Sequence, residues 1–259
     1  MKNKNIWVIK IGSSLVTKKS PGINITNIKK WASQISKLMA EDIGVILVSS
    51  GAIAEGMKRL GVSDRPTKIT DLQAMASIGQ MGLVQAYETE FKKYRLLTAQ
   101  VLLTHQDLNN KERYSNAKST IRNLIKMGII PVINENDVVS TEEIKFGDND
   151  TLAALVSNLV NANKLIILTD QNGLYDNDPR KVKNANLINE ISIKNRLINK
   201  YAKPSISKLG RGGMITKVSA AKIAAKSKTE TVIAKGTKEN ILIKIKDKDK
   251  TVGTYISSS

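Results

Sequence analysis

The chain has no cysteine and only one histidine, His105. The first absence excludes disulfides and thiolate metal sites, and the second excludes metal cages built on several imidazoles. No Ser-His-Asp arrangement is evident around His105, so acyl-transfer chemistry of that kind is not expected. Aromatic residues make up only 4% of the chain, so any core is aliphatic. No stretch approaches the roughly 18 apolar residues that a membrane-spanning helix requires. The apolar segment Ile6–Ile11 is too short, and too charged at Lys10, for a secretory core. A soluble, cytoplasmic protein is expected. Acidic residues are scarce too: 23 Asp and Glu face 41 Lys and Arg, a net charge of +18 over 259 residues. The imbalance is local. Residues 1–179 hold 22 basic and 18 acidic residues, whereas residues 180–259 hold 19 and 5. A nucleic-acid surface and a lobe for a polyanionic nucleotide both fit such an excess. The lysines are scattered and not interleaved with aromatics, so solvated faces are the simplest reading, and no nucleic-acid partner is expected.

Short apolar runs alternate with longer amphipathic ones. Candidate strands are Asn5–Ile11, Val45–Ser49, Leu96–Leu102, Ile129–Ile133, Lys164–Thr169 and Thr231–Ala234, with a closing strand in the final TVGTYI. Helical spacing runs through Ile25–Met39, Tyr114–Met127, Asp150–Val160 and Met214–Ser227. Asp71–Tyr94 reads as one long helix or a pair broken at Gly79 and Gly82, and Lys244–Lys250 as a solvated turn. This alternation predicts an α/β fold: a three-layer sandwich with a mostly parallel central sheet. No repeat or linker divides it, so one two-lobed domain is expected.

The polar and glycine-rich segments fall just after strands, where open α/β sheets bind ligands. They are Gly12-Ser13-Ser14, Ser49-Ser50-Gly51-Ala52, Asn134-Glu135-Asn136-Asp137 and Asp170-Gln171-Asn172-Gly173. Any one of them serves equally well as an ordinary turn; four facing one crevice are harder to dismiss. A further cluster, Gly210-Arg211-Gly212-Gly213, precedes a helix and offers free amides to a phosphate. It matches neither the P-loop nor the dinucleotide fingerprint. Lys10 ends an apolar strand, where an unmatched ammonium is costly. Lys217 stands in the first turn of a helix, where a cation is mildly unfavourable. Both positions suit an anionic ligand, though snorkelling and surface solvation also account for them. Asp148 or Asn149 is a natural N-cap for the run beginning at Asp150, and Asp137 suits an Asx turn.

Taken together, VIKIGSS (8–14), VSSGAIAEG (48–56), PVINENDVV (131–139), KFGDNDTLAALV (145–156), LTDQNGLYDNDPR (168–180) and GRGGMITK (210–217) resemble the amino acid kinase family. Within it they are most similar to the branch that phosphorylates the side-chain carboxylate of glutamate. The resemblance spans essentially the whole chain, and the order and spacing of the segments make it specific. It implies the carbamate kinase-like fold, with residues 1–162 binding glutamate and residues 163–259 binding ATP. It implies that Lys10 and Lys217 contact the transferring phosphate and that Asp150 orients them. Ser50, Asp137 and Asn149 would bind glutamate, with Asn134 and Asp148 nearby. Lys10, Gly12, Thr169, Asp170 and the stretch Arg211, Gly212, Gly213, Met214, Ile215, Thr216 and Lys217 would contact nucleotide. ATP and Mg²⁺ are the implied cofactors, with the ion carried on substrate phosphates rather than in a protein cage. A homodimer or homotetramer and feedback inhibition by proline are also implied. No segment resembles the RNA-modification-type PUA domain that often follows this kinase domain. Sister kinases acting on N-acetylglutamate, aspartate or a nucleoside monophosphate are the nearest alternatives, and a non-catalytic RNA-binding protein is a more distant one.

Overall fold

The computed structural model describes residues 5–17, 22–140, 149–202 and 213–259. Eight strands form one sheet: β1 (Asn5–Ile11), β2 (Ile43–Ser49), β3 (Thr98–Leu103), β4 (Ile130–Glu135), β5 (Lys164–Thr169), β6 (Glu190–Ser192), β7 (Glu230–Lys235) and β8 (Gly253–Ser257). Their spatial order is β3-β4-β2-β1-β5-β7-β8-β6, and every pairing is parallel except β7 with β8. The chain works outward from β1 in both directions, so β1 lies at the centre beside the point where strand order reverses. Such points open a crevice at the carboxyl ends of the strands.

The helices are α1 (Ser13–Val16), α2 (Ile25–Ala40), α3 (Ala52–Arg59), α4 (Ile69–Lys92), α5 (His105–Asn109), α6 (Lys111–Lys126), α7 (Asp150–Val160), α8 (Leu197–Tyr201), α9 (Met214–Ala225) and α10 (Ile241–Lys246). They cover both faces of the sheet, which is why its strands read as continuous apolar runs. Side chains alternate faces along a strand. In β1, Trp7, Ile9 and Ile11 pack with Ile28, Trp31 and Ile35 of α2, Leu83 and Tyr87 of α4, and Ile241 of α10. Ile6 and Val8 face the opposite way, toward Ile121 of α6, Leu152 and Val156 of α7, and Val218 and Ala221 of α9. Lys10 shares the parity of Ile6 and Val8. It therefore extends from the central strand toward the layer that contains α7 and α9.

The predicted strands are all present, within a few residues at their ends. Asp71–Tyr94 is not broken: α4 runs unbroken from Ile69 to Lys92. Its glycine at 79 serves packing instead. A Cβ there would sit 1.8 Å from the Ala52 carbonyl oxygen, and one at Gly56 would sit 1.9 Å from that of Met75. α3 and α4 thus touch backbone to backbone. The Lys244–Lys250 run is not simply a turn, because Ile241, Leu242 and Ile245 bury one side of α10 and carry Lys244 and Lys246 into its last turn. β6, α3, α5 and α8 were not anticipated. Each is short, three to eight residues, and three of the four bury few apolar side chains.

Candidate active site

α7 begins at Asp150, and Asn149 occupies the capping position without capping: its side chain makes no hydrogen bond to the helix amides. The local expectation for Asn149 is therefore corrected. Its amide Nδ2 turns the other way, to Ser50 Oγ at 2.9 Å, Asn134 Oδ1 at 2.9 Å and the Ser49 carbonyl at 3.3 Å. Asn134 in turn accepts from the Glu135 amide at 2.9 Å and donates to Gln80 Oε1 of α4 at 2.9 Å. The Glu135 amide can only donate, so it fixes the orientation of Asn134. That in turn fixes Gln80 and Asn149. Ser50 is presented by Gly51, whose φ of 113° lies in the left-handed region that suits glycine.

The chain of fixed amides leaves two buried atoms without a hydrogen-bond partner among the described residues: Gln80 Nε2, a donor, and Asn149 Oδ1, an acceptor. A third is Asp137 Oδ1, another acceptor. The Asx-turn role expected for Asp137 is thus not what that oxygen does. The turn is held instead by Gln73 of α4, which donates to the Asp137 carbonyl at 2.9 Å and the Val138 carbonyl at 3.2 Å. Burial, reinforced by the nearby negative charge of Glu135 and opposed by Arg65, pushes the Asp137 carboxyl up to about 7. Unsatisfied buried groups are costly and call for a partner, which a bound ligand or an ordered water can supply.

Beside this network lies a charged cluster. Asp150 is fully buried, and Lys10 and Lys217 are 6% and 7% exposed. Lys10 Nζ lies 2.6 Å from Asp150 Oδ1, and Lys217 Nζ lies 3.0 Å from Asp150 Oδ2. Thr216 Oγ1 lies 2.9 Å from the same Oδ2 and 2.8 Å from the Gly213 carbonyl. Lys10 comes from the central strand, Asp150 from the first turn of α7 and Lys217 from the first turn of α9. The three groups sum to one positive charge. Two ammoniums on one carboxylate, at two helix N-termini, make a place where a polyanion is favoured.

Around the cluster, the Gly12 amide donates to the Leu168 carbonyl at 3.0 Å, so it is already engaged and ties the first loop to β5. Thr169 ends β5 and donates to Asp170 Oδ1 at 3.1 Å; Asp170 is exposed. Gly213, Met214, Ile215 and Thr216 form the start of α9, with Ile215 exposed. Asp148, Arg211 and Gly212 lie outside the described residues. Gln80, Gln73 and Glu135 were missed in the sequence. The signal for Gln80 was a polar side chain on the buried stripe of a helix.

The family model for the amino acid kinase family matches residues 5–235. The chain belongs to the amino acid kinase family. It is 54% identical over 236 residues to a glutamate 5-kinase of Hydrogenovibrio crunogenus, covering 91% of this chain and 63% of that protein. It is 51% identical over 249 residues to a glutamate 5-kinase of a Marinomonas species, covering 96% and 66%. The chain thus spans about two thirds of the length of the curated relatives it matches. Among solved structures, UMP kinase from Ureaplasma parvum superimposes with a TM-score of 0.64 at 18% identity, covering 98% of this chain and 99% of that one. An isopentenyl phosphate kinase gives 0.65 at 17%, covering 98% and 100%. At that identity the likeness is one of fold, and it agrees with the α/β sandwich expected from the sequence.

Proposed function

We propose that the chain is a glutamate 5-kinase: it transfers the γ-phosphoryl group of ATP to the side-chain carboxylate of L-glutamate, giving L-glutamyl 5-phosphate and ADP, the first step toward proline. The observation that carries this reading is the Asp150 carboxylate holding Lys10 and Lys217 at 2.6 and 3.0 Å. The acceptor is already ionised at pH 7, since a free glutamate side chain titrates near pH 4.3. No general base is required, and Asp150 has no substrate proton to take. A carboxylate oxygen attacks the γ-phosphorus, and the bond to the bridging β-phosphate oxygen breaks, leaving ADP. The barrier is repulsion between an anion and a polyanion, so catalysis is positioning plus charge neutralisation. Lys10 and Lys217 supply that charge at the transferring group, and Asp150 orients both.

The unpartnered atoms of the neighbouring network match an amino acid. Asp137 Oδ1 and Asn149 Oδ1 accept from its ammonium, and Gln80 Nε2 donates to a carboxylate oxygen. Ser50 and Asn134 hold Asn149 in place, and Asp148 lies close in sequence. Thr169, Asp170 and the segment 211–217 receive the nucleotide, with Gly12 beside them. On this reading residues 1–162 form the glutamate lobe and 163–259 the ATP lobe. Mg²⁺ arrives on the ATP phosphates, since this ion binds chiefly through substrate oxygens and its own waters. A cytoplasmic homo-oligomer fits a biosynthetic kinase of this family.

The test is to trap the product with hydroxylamine in the presence of ATP and L-glutamate. A γ-glutamyl hydroxamate is expected. ADP release with N-acetylglutamate, aspartate or a nucleoside monophosphate, and none with glutamate, would overturn the assignment in favour of a sister kinase.

A further inference from the structure

Three polar side chains of α4 are spaced seven residues apart: Gln73, Gln80 and Tyr87. Seven residues make almost two turns, so the three share one face of the helix, drifting by only about 20° at each step. At about 1.5 Å per residue the row is about 21 Å long. Each member holds a different part of the polar network. Gln73 donates to the Asp137 and Val138 carbonyls at 2.9 and 3.2 Å, and Gln80 Oε1 accepts from Asn134 at 2.9 Å. Tyr87 OH lies 2.8 Å from Ser49 Oγ. The first two act on residues of the proposed glutamate site. The third acts on the neighbour of Ser50.

The direction of that third bond can be worked out. Burial pushes the Tyr87 hydroxyl well above its usual range, so it stays protonated. Tyr87 is 1% exposed, and this is its single hydrogen bond among the described residues. Its proton therefore goes to Ser49 Oγ, since a buried donor left unmet is costly. The proton of Ser49 is then free for the Ser50 carbonyl at 3.1 Å. That carbonyl belongs to the peptide between Ser50 and Gly51. The peptide before Ser50 is held as well, because the Ser49 carbonyl accepts from Asn149 Nδ2 at 3.3 Å. Peptide groups are planar. With both planes held, φ and ψ of Ser50 are held, and so is the direction in which its side chain leaves the backbone. Ser49 itself follows Val45 and Leu47 on the α4-facing side of β2. Two hydroxyls are thus set into an otherwise aliphatic layer, where Phe and Ala would pack without polar atoms to satisfy. The helix that carries the row is also fixed lengthwise, because Gly79 lies against the Ala52 carbonyl.

We propose that Tyr87 is a positioning residue for the glutamate site: by donating to Ser49 it fixes the backbone that presents Ser50, and together with Gln73 and Gln80 it makes α4 the template on which the β2 and β4 loops are set. The inference rests on the kinase reading. Tyr87 touches no substrate and acts through Ser49. Lys10, Asp150 and Lys217 stand on β1, α7 and α9, so the effect of Tyr87 falls on glutamate binding and not on the transfer step.

The test is steady-state hydroxamate formation by Tyr87→Phe, which keeps the ring and its stacking on Phe91 and removes only the hydroxyl. The glutamate KM should rise by about three- to tenfold, as loss of one neutral hydrogen bond predicts, with kcat and the ATP KM within about twofold of the parent. A merely structural role would lower kcat through the folded fraction and would not separate the two KM values. Ser49→Ala should raise the glutamate KM by a similar factor, and it carries the same comparison if Tyr87→Phe melts early. The double variant should be no worse than the worse single one, because both remove the same link. Tyr255→Phe deletes another buried hydroxyl, bonded to the Asp249 carbonyl at 3.0 Å on β8, and should leave the glutamate KM unchanged. A parent that forms no hydroxamate overturns the kinase reading and this inference with it. With an active parent, this inference alone is overturned if Tyr87→Phe keeps the parent's glutamate KM, if both KM values rise together, or if the effects of Tyr87→Phe and Ser49→Ala add.

Discussion

Replacing Asp150 with Asn tests the charged cluster most directly. Asn is nearly the same size and retains an oxygen, so packing around α7 is largely preserved. What changes is charge. The site now sums to one positive charge over Lys10, Asp150 and Lys217, and the variant raises this to two inside a region where all three side chains are less than a tenth exposed. Breaking a buried pair by removing one partner costs about 3–5 kcal/mol. At roughly 2–4 °C per kcal/mol for a domain of this size, the melting temperature should fall by about 6–20 °C. The same excess charge should make the variant more responsive to anions than the parent. Millimolar pyrophosphate should therefore restore more melting temperature to Asp150→Asn than it adds to the unchanged protein, because a ligand stabilises in proportion to its affinity for the folded state. Hydroxamate formation should fall by about 100-fold or more, since neither ammonium is held for transfer. Scanning calorimetry with and without pyrophosphate, alongside the hydroxamate assay, reads all three. An unchanged melting temperature, indifference to pyrophosphate and near-normal turnover together would refute the idea that Asp150 is the anchor of two lysines.

Lys10→Ala and Lys217→Ala should each lower kcat by about 100-fold or more with a smaller change in the glutamate KM, because the lost charge acts on the transition state; near-normal turnover in either removes that lysine from the mechanism. Asp137 provides a pH test. With its carboxyl pushed up to about 7 in the folded protein, it is protonated below neutrality and can no longer pair with an ammonium. The glutamate KM should rise as pH falls below about 7, approaching tenfold per unit, and Asp137→Asn should raise KM and flatten that profile. The stability effect has the opposite sense. A raised carboxyl pKa favours the fold below its unfolded value, and that advantage is lost as pH rises through the folded value. Asp137→Asn should therefore gain melting temperature over the parent at pH 8 more than at pH 5. Gly79→Ala forces a Cβ to 1.8 Å from the Ala52 carbonyl, so α3 and α4 must separate; a loss of about 1–3 kcal/mol is expected in urea unfolding, and parent-like stability would contradict the contact.

The sheet was legible because burial on both faces leaves unbroken aliphatic runs, and a run such as Lys164–Thr169 has no competing reading. The long helices were legible by their spacing. α3 was not, because its eight residues include Gly56 and follow a serine-rich loop, and its stability comes from the backbone contact with α4 rather than from local propensity. The same contact explains why Gly79 looked like a break. At the site, the sequence pointed to Lys10 and Lys217 by their unfavourable positions, an ammonium in an apolar strand and another at a helix start. Local spacing alone offered Asp148 or Asn149 as a helix cap, and Asn149 does not serve as one. Only the presence of Ser50 and Asn134 in space turns its amide away. Gln80 and Glu135 were hidden for a related reason: their use depends on hydrogen bonds across 54 residues and on a neighbour two places away.

The Lys10–Asp150–Lys217 contact has a consequence for how the molecule comes into being. Its three members are 140 and 67 residues apart along the chain. While a ribosome is still making the last third, a folded first portion holds only one lysine against one aspartate, an electrically neutral pair with little pull on a nucleotide. The surplus positive charge appears only when residue 217 has emerged and α9 has docked. On the proposed reading, competence to handle ATP is thereby withheld from any nascent copy in which α9 has not yet docked.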